Sequence, residues 1–255
     1  MRRAAAVLLG LMLWASSARA ESLIISLSTH RFQIASNFVG AEIVLFGSVE
    51  RDAQTIGRPG GYDLAVVVRG PKATIVTRKK VRVLGLWVNR DSREFLEVPS
   101  TYALLSNRPA ANLTSIDLRK RHQIGLEGLI LLQRSEPGED PAPADPFREA
   151  LVRLNSQKGL YRENPTGVTF LTPTLFRANI PLSPNTPVGT FDVEIFLFSE
   201  GGILAREQTN FEITKVGFEA FVANSARDYG LLYGLSACLL ALLTGWAASV
   251  VFRRD

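Results

Sequence analysis

Gly189-Thr190-Phe191-Asp192-Val193-Glu194-Ile195-Phe196-Leu197-Phe198, then Gly201-Gly202, then Ile203 to Ile213, is the stretch that decides the fold. Phe191, Val193, Ile195 and Leu197 recur at every second position. That is the period of a strand, whose successive side chains point to opposite faces. The glycine pair supplies a turn, and the run after it returns as the partner strand. Such a pair is expected to close an antiparallel sandwich of the immunoglobulin type.

Upstream, Leu23, Ile25 and Leu27 alternate in the same way, and Val39 to Val49 is rich in β-branched and aromatic residues. Gly57-Arg58-Pro59-Gly60-Gly61 reads as a loop before the strand Asp63 to Val68. Ala73 to Thr77 and Val81 to Val88 read as a hairpin turning on Arg78-Lys79-Lys80, with Val81, Val83 and Trp87 on one face. Val168 to Thr172 and Leu175 to Ile180 are further strands, after which Pro181, Pro184 and Pro187 exclude a central strand.

The middle of the chain, about 107–158, changes character. Leu113 to Ile124 reads as helical, and Pro137 to Ala144 as a Pro-rich acidic loop. Asp145 is placed to cap a helix that has Pro146 at its first position, and Phe147, Leu151 and Leu154 share a face before Gly159. Lys215 to Asp228 is amphipathic at helical spacing through Phe218, Phe221 and Val222. The expected fold is mainly β over residues 21–228. It is an antiparallel Greek-key or immunoglobulin-like sandwich, in one or two lobes, with a helical insertion and one C-terminal transmembrane helix.

The two ends carry topology signals. Arg2 and Arg3, the apolar run Ala4 to Trp14 and the small-residue site Ala18-Arg19-Ala20 form a secretory signal over residues 1–20. From Leu231 to Phe252 there is no charged side chain, and at 1.5 Å per residue the run spans about 33 Å, enough for a bilayer core. Tyr229 and Tyr233 mark one boundary, while Arg253 and Arg254, followed by Asp255, close the other. Positive charge favours the cytoplasm. The expectation is therefore a single-pass protein of the bacterial inner membrane, with residues 21–228 in the periplasm, a span at 229–252 and a tail at 253–255.

The net charge of +5 is misleading. Arg2, Arg3, Arg19, Arg253 and Arg254 of the 29 basic residues, and Asp255 of the 24 acids, lie outside residues 21–252, leaving 24 against 23. The body is nearly neutral, so the basic pI gives no ground for a nucleic-acid partner. The one cysteine, Cys238, lies in the span, and both methionines, Met1 and Met12, lie in the signal. A disulfide framework, a thiol nucleophile and a thioether copper site are thereby excluded from the body.

Chemistry is sparse. No serine between glycines stands at a strand-to-helix turn, no Ser-x-x-Lys pair occurs, and no phosphate-cradling Gly-rich loop leads into Lys-Ser/Thr. His30 and His122 are the only imidazoles; with Glu42 or Asp117 they could form a metal site, or they are two unrelated histidines. No cofactor is implied. Arg78, Lys79, Lys80 and Arg82 form one candidate for an anionic ligand, and Arg119-Lys120-Arg121 another; solvated turns are the plainer reading. In the span, Ala237, Ala241, Gly245 and Ser249 recur at four-residue spacing after Gly230 and Gly234. Such a stripe lets another helix approach, so Gly234, Ala237, Ala241, Gly245 and Ser249 are the candidate docking face.

Several segments recur in order: Arg69-Gly70-Pro71, Gly85-Leu86-Trp87-Val88-Asn89, Val98-Pro99-Ser100-Thr101-Tyr102-Ala103, Gly159-Leu160-Tyr161, Pro187-Val188-Gly189-Thr190 to Phe198, and Gly217-Phe218-Glu219. Together they resemble a family of alphaproteobacterial transmembrane proteins of unknown function. The resemblance covers nearly the whole chain and implies no catalytic residue. Members are often encoded beside a permease similar to sulfite exporters, an association by which the resemblance implies a multi-span partner. The function expected is a non-enzymatic accessory or interaction subunit of a membrane transport complex, in contact with the lipid bilayer. The alternative is a membrane-anchored periplasmic ligand-binding or sensing module, which a pocket lined by Trp87 and basic side chains would favour.

Overall fold

Phe191 to Leu197 belongs to an interior strand of the largest sheet, and its alternation is divided between two cores. The computed structural model describes residues 21–35, 37–51, 61–134, 145–217, 222 and 225–252. Six strands form the large sheet, in the order β2 (Arg31–Ile34), β13 (Gly202–Lys215), β12 (Gly189–Ser199), β4 (Asp63–Arg69), β7 (Tyr102–Ser106) and β9 (Tyr161–Asn164). The interior pairs are antiparallel, while the edge strands β2 and β9 join in parallel. A four-stranded antiparallel sheet runs β1 (Glu21–Leu27), β3 (Ala41–Arg51), β11 (Leu175–Leu182), β10 (Val168–Phe170). The third sheet is a long hairpin, β5 (Lys72–Val83) and β6 (Leu86–Pro99), joined by the short β8 (Leu132–Gln133).

Strand periodicity explains the layering. Leu64, Val66 and Val68 of β4 and Phe191, Val193, Ile195 and Leu197 of β12 face the smaller sheet. There they meet Leu23, Ile43, Leu45, Val49, Phe176 and Ile180. The intervening residues Ala65, Val67, Phe196 and Phe198 face the other way. A sheet buried on both faces needs apolar residues at every position, and β4 supplies them from Leu64 to Val68.

The second face is covered by the insertion, which holds α1 (Ala110–Leu113), α2 (Ile116–His122) and α3 (Pro146–Gln157). Leu113, Ile124, Leu129, Leu131 and Leu151 pack there with Phe95 and Val98 from the hairpin base. Each buried aliphatic side chain contributes about 1.5–3 kcal/mol, against about 1 kcal/mol net for a hydrogen bond. Apolar burial therefore holds the layer on, and polar contacts orient it. The Tyr102 hydroxyl donates to the Gln123 carbonyl and accepts from the Gly125 N–H, both at 2.8 Å. Thr114 Oγ1 donates to the Gly201 carbonyl at 2.6 Å.

The expected sandwich with its helical insertion is what the chain forms, and Asp145 caps α3 by accepting from Phe147 N, with Pro146 in the first turn. Four details differ. The long hairpin turns on Leu84 and Gly85, with φ of 48° and 86°, the two-residue geometry whose twist suits flanking strands. Arg78-Lys79-Lys80 are ordinary strand residues of β5, since Arg78 pairs with Ser92 and Lys79 with Asp91. Trp87 consequently lies opposite Arg82, while Val81 and Val83 pair with Val88 and Leu86 on the other face. On α3, Leu154 is exposed and Asn155, one turn beyond Leu151, is buried in its place.

The fourth difference is that β11 runs through Pro181 to Leu182. Its neighbour β10 reaches only Phe176 to Ala178, so no ladder is needed on that side at Pro181. The signal at 1–20, the Gly57 to Gly60 loop, the acidic loop from Pro137, Phe218 and Phe221, and Arg253 to Asp255 lie outside the described residues.

Candidate functional site

The outer face of the large sheet is left uncovered at one end, and its ionisable groups gather there. β4 ends at Arg69, which pairs in register with Asp192. Glu194 and Gln208 are opposite each other, as are Phe196 and Arg206. The C-terminal end of α2 brings Arg121, His122 and Gln123 over this patch, and the hairpin base adds Lys72 and Glu97. Together they line a cleft of about 490 Å³.

Glu194 organises the cleft. Its Oε2 accepts from Arg69 Nη1 at 2.7 Å and its Oε1 from Arg206 Nη2 at 2.6 Å. The Arg69 and Glu194 side chains retain only 19% and 12% exposure, whereas Arg206 keeps 49%. Charge-assisted bonds of this length are the strong kind. Arg69 Nη2 also donates to the His122 carbonyl at 2.9 Å. That carbonyl belongs to the last turn of α2, where helical acceptors lack partners. Gln123 ends the helix in the left-handed region at φ 52°, its N–H donating back to Arg119 and Lys120 carbonyls. A strand arginine thus fastens the helix end to the sheet.

The titration shifts follow from this packing. Burial alone pushes the Glu194 carboxyl up, but the hydrogen bonds and charges of Arg69 and Arg206 outweigh it and hold the group below its ordinary value. Burial pushes the His122 imidazole down, and Arg206 adds to that effect. The His122 ring lies 5.4 Å from the Phe196 ring, edge-on, and the Arg206 guanidinium sits 5.5 Å over the same ring. Behind the cleft, burial raises Tyr102 far above the usual phenol range and pushes Tyr161 up to about 12. Tyr161 donates to the Pro99 carbonyl at 2.8 Å.

Among the described residues no serine, threonine or cysteine lines this cleft, and its most buried charges are spent on each other. The arrangement can present Arg206, Arg121 and Lys72 to an anion, though Lys72 is also paired with Glu97 at 3.0 Å. The two histidines occupy separate places. His30 Nδ1 is 3.0 Å from the Asn210 carbonyl, while Glu42 accepts from Asn179. No group of three or more His, Cys, Asp or Glu positioned for a metal occurs among the described residues.

The other sequence candidates fall elsewhere. Arg78, Lys79, Lys80 and Arg82 lie on the outer half of β5 and contribute nothing to the cleft, nor does Trp87. The second basic run divides. Arg119 is largely buried and paired with Glu127 at 3.4 Å, and Arg121 reaches the cleft. Gly234, Ala237, Ala241, Gly245 and Ser249 lie on α4 (Gly230–Val251), no residue of which is buried. A Cβ added at Gly234 or Gly245 would meet nothing within 4 Å. Sequence reading missed Arg69, Glu194 and Arg206. The one available signal was Glu194 between Val193 and Ile195, a second charge after Asp192 on the alternate face of the strand.

α4 is the one helix among the described residues long and apolar enough to cross a membrane, with a mean hydropathy of 1.8. Two of its hydroxyls bond to its own backbone, Ser236 to the Tyr233 carbonyl and Thr244 to those of Leu240 and Ala241. That is how hydroxyls are tolerated in lipid. The chain matches, over residues 22–254, the model of the family described as "Putative transmembrane protein (Alph_Pro_TM)". The chain belongs to that family of transmembrane proteins of unknown function. The comparison with curated proteins gave no match.

Proposed function

We propose that this member of the transmembrane family is a non-enzymatic accessory subunit. It holds its β domain on the periplasmic side of a bacterial inner membrane and docks through α4 onto a multi-span membrane protein such as a permease. The observation that carries this reading is the open face of α4. Gly230, Gly234 and Gly245 each leave space where a Cβ would project, and small residues of this kind permit close helix approach in lipid.

The test is gentle crosslinking of the tagged full-length chain in membranes, mild solubilisation and identification of what accompanies it. An integral membrane protein at near-stoichiometric yield, lost on Gly245→Leu, is the expected result. Since Gly245 faces open space within the chain, that substitution reads docking and not folding. Recovery of this chain alone would overturn the proposal.

A second reading, capture of a small anion, draws on the cleft cations Arg206, Arg121 and Lys72. Inorganic phosphate that raises the thermal midpoint of the wild-type chain, but not of Arg206→Ala, would favour it.

A further inference from the structure

We propose that the tip of the β5–β6 hairpin is a lipid-binding finger that seats shallowly in the headgroup layer of an anionic phospholipid bilayer. The tip stands clear of the protein. From Arg78 to Val83 and from Leu86 to Arg93 successive side chains are exposed on both faces, with Val81 alone half-buried. A strand resting on protein would alternate. Leu84 at the turn is 99% exposed, Leu86 71% and Trp87 69%. Val81, Val83, Leu86 and Val88 form one face, and Lys80, Arg82, Trp87 and Asn89 the other.

Charge points to the occupant. Arg78, Lys79, Lys80, Arg82 and Arg90 surround this apex, with Asp91 as the one acid between Arg78 and Asp91. None of the five forms an ion pair among the described residues. Because residues 21–252 are nearly neutral as a whole, the remainder carries a small acidic excess and the positive charge collects on the finger. The cations occupy both faces and the bulge at Arg90. A diffuse collar of this kind suits a fluid layer of phosphates better than the fixed acceptors of one protein surface. Lys and Arg stems can lie along apolar neighbours while their heads reach phosphate, and tryptophan favours the interface.

The backbone limits the depth. β5 is an edge strand, and β8 pairs only with Phe95 and Leu96 of β6. The outer edges of the finger therefore carry unpaired amides, which the hydrocarbon core does not tolerate. A two-stranded ribbon is also marginal by itself in water, so a headgroup layer surrounding the tip on both faces supplies the support that a third layer gives elsewhere.

The experiment uses the full chain carrying Trp14→Phe and Trp246→Phe, which leaves Trp87 as its one tryptophan. It is reconstituted into phosphatidylcholine vesicles with or without phosphatidylglycerol. With the anionic lipid, Trp87 emission should move to shorter wavelength. Lipids brominated near the headgroup should quench it more than lipids brominated at the chain ends. High salt should weaken both effects, as should Arg78→Glu combined with Lys79→Glu, Lys80→Glu and Arg82→Glu. The salt titration applies the same test to the unreversed chain. Emission that stays at the water-exposed wavelength overturns the proposal, as does quenching indifferent to lipid charge or to salt. A shift that grows with protein-to-lipid ratio would assign the finger to a second copy of the chain, and would also overturn it.

Discussion

Removing the Arg69 side chain should release the C-terminal end of α2 from the large sheet. Arg69→Ala deletes the 2.7 Å bond to Glu194 and the 2.9 Å bond to the His122 carbonyl. Breaking a buried ion pair from one side costs about 3–5 kcal/mol. Glu194 keeps Arg206 as a partner at 2.6 Å, so the lower end applies, about 3 kcal/mol. For a domain of this size each kcal/mol moves the thermal midpoint by about 2–4 °C, which predicts a drop of about 6–12 °C. The assay is thermal unfolding of the full chain in detergent, followed by circular dichroism. Hydrogen exchange should locate the damage. Amides of residues 116–128 should exchange faster, while those of β1, β3 and β11 hold their protection. A midpoint within about 2 °C of wild type, or exchange raised equally everywhere, would refute the idea that this network fastens the helix to the sheet.

Three further outcomes follow from the same geometry. The Glu194 carboxyl is held below its ordinary value of 4.5. The stability it contributes is therefore present above about 4.5 and lost as pH falls through the folded value. Glu194→Gln should flatten the acid limb of a plot of thermal midpoint against pH. Tyr102→Phe removes the hydroxyl shared by Gln123 O and Gly125 N. It should cost about 1–3 kcal/mol because a buried amide loses its acceptor, measurable by the same unfolding assay. Gly47→Ala places a Cβ 2.3 Å from Phe176 Cζ and 2.9 Å from the Ile24 carbonyl. Overpacking of this kind should cost about 1–3 kcal/mol, and Gly47→Ala combined with Phe176→Leu should recover part of the lost midpoint.

Where a single physical signal acted alone, the sequence was readable. The apolar run Leu64 to Val68 read as a strand, and Asp145-Pro146 as the opening of a helix. The long hairpin was misjudged because Arg78-Lys79-Lys80 looked like a solvated turn. The true turn, Leu84-Gly85, carries one glycine beside a leucine that no turn rule favours. A charge cluster demands solvent, and a strand exposed on both faces provides as much solvent as a turn does. The cleft left only the charge of Glu194 as a trace in the sequence. Arg69, Glu194 and Arg206 meet only through the register of β4, β12 and β13, and register between strands so far apart in the chain is written in no local pattern. The small-residue stripe of α4 is the opposite case, readable directly in sequence, and its glycines face open space in the fold.

The large sheet also sets an order of events during synthesis. Its interior pair joins Val67 to Glu194, so the helical layer encoded between them has only the β4–β7 part of its platform until the later strand has emerged. Leu113, Ile124 and Leu151 can meet Ala65, Val67, Tyr102 and Leu104 early, but they wait incompletely buried for Phe196 and Phe198 to arrive. Closing so long a loop before any contact repays it makes for slow folding and a sticky interval. A ribosome or translocation channel that releases this chain piecemeal therefore delivers a nascent polypeptide in need of a holding chaperone. Truncations ending between residues 160 and 188, before β12 begins, should aggregate even though they contain the whole insertion.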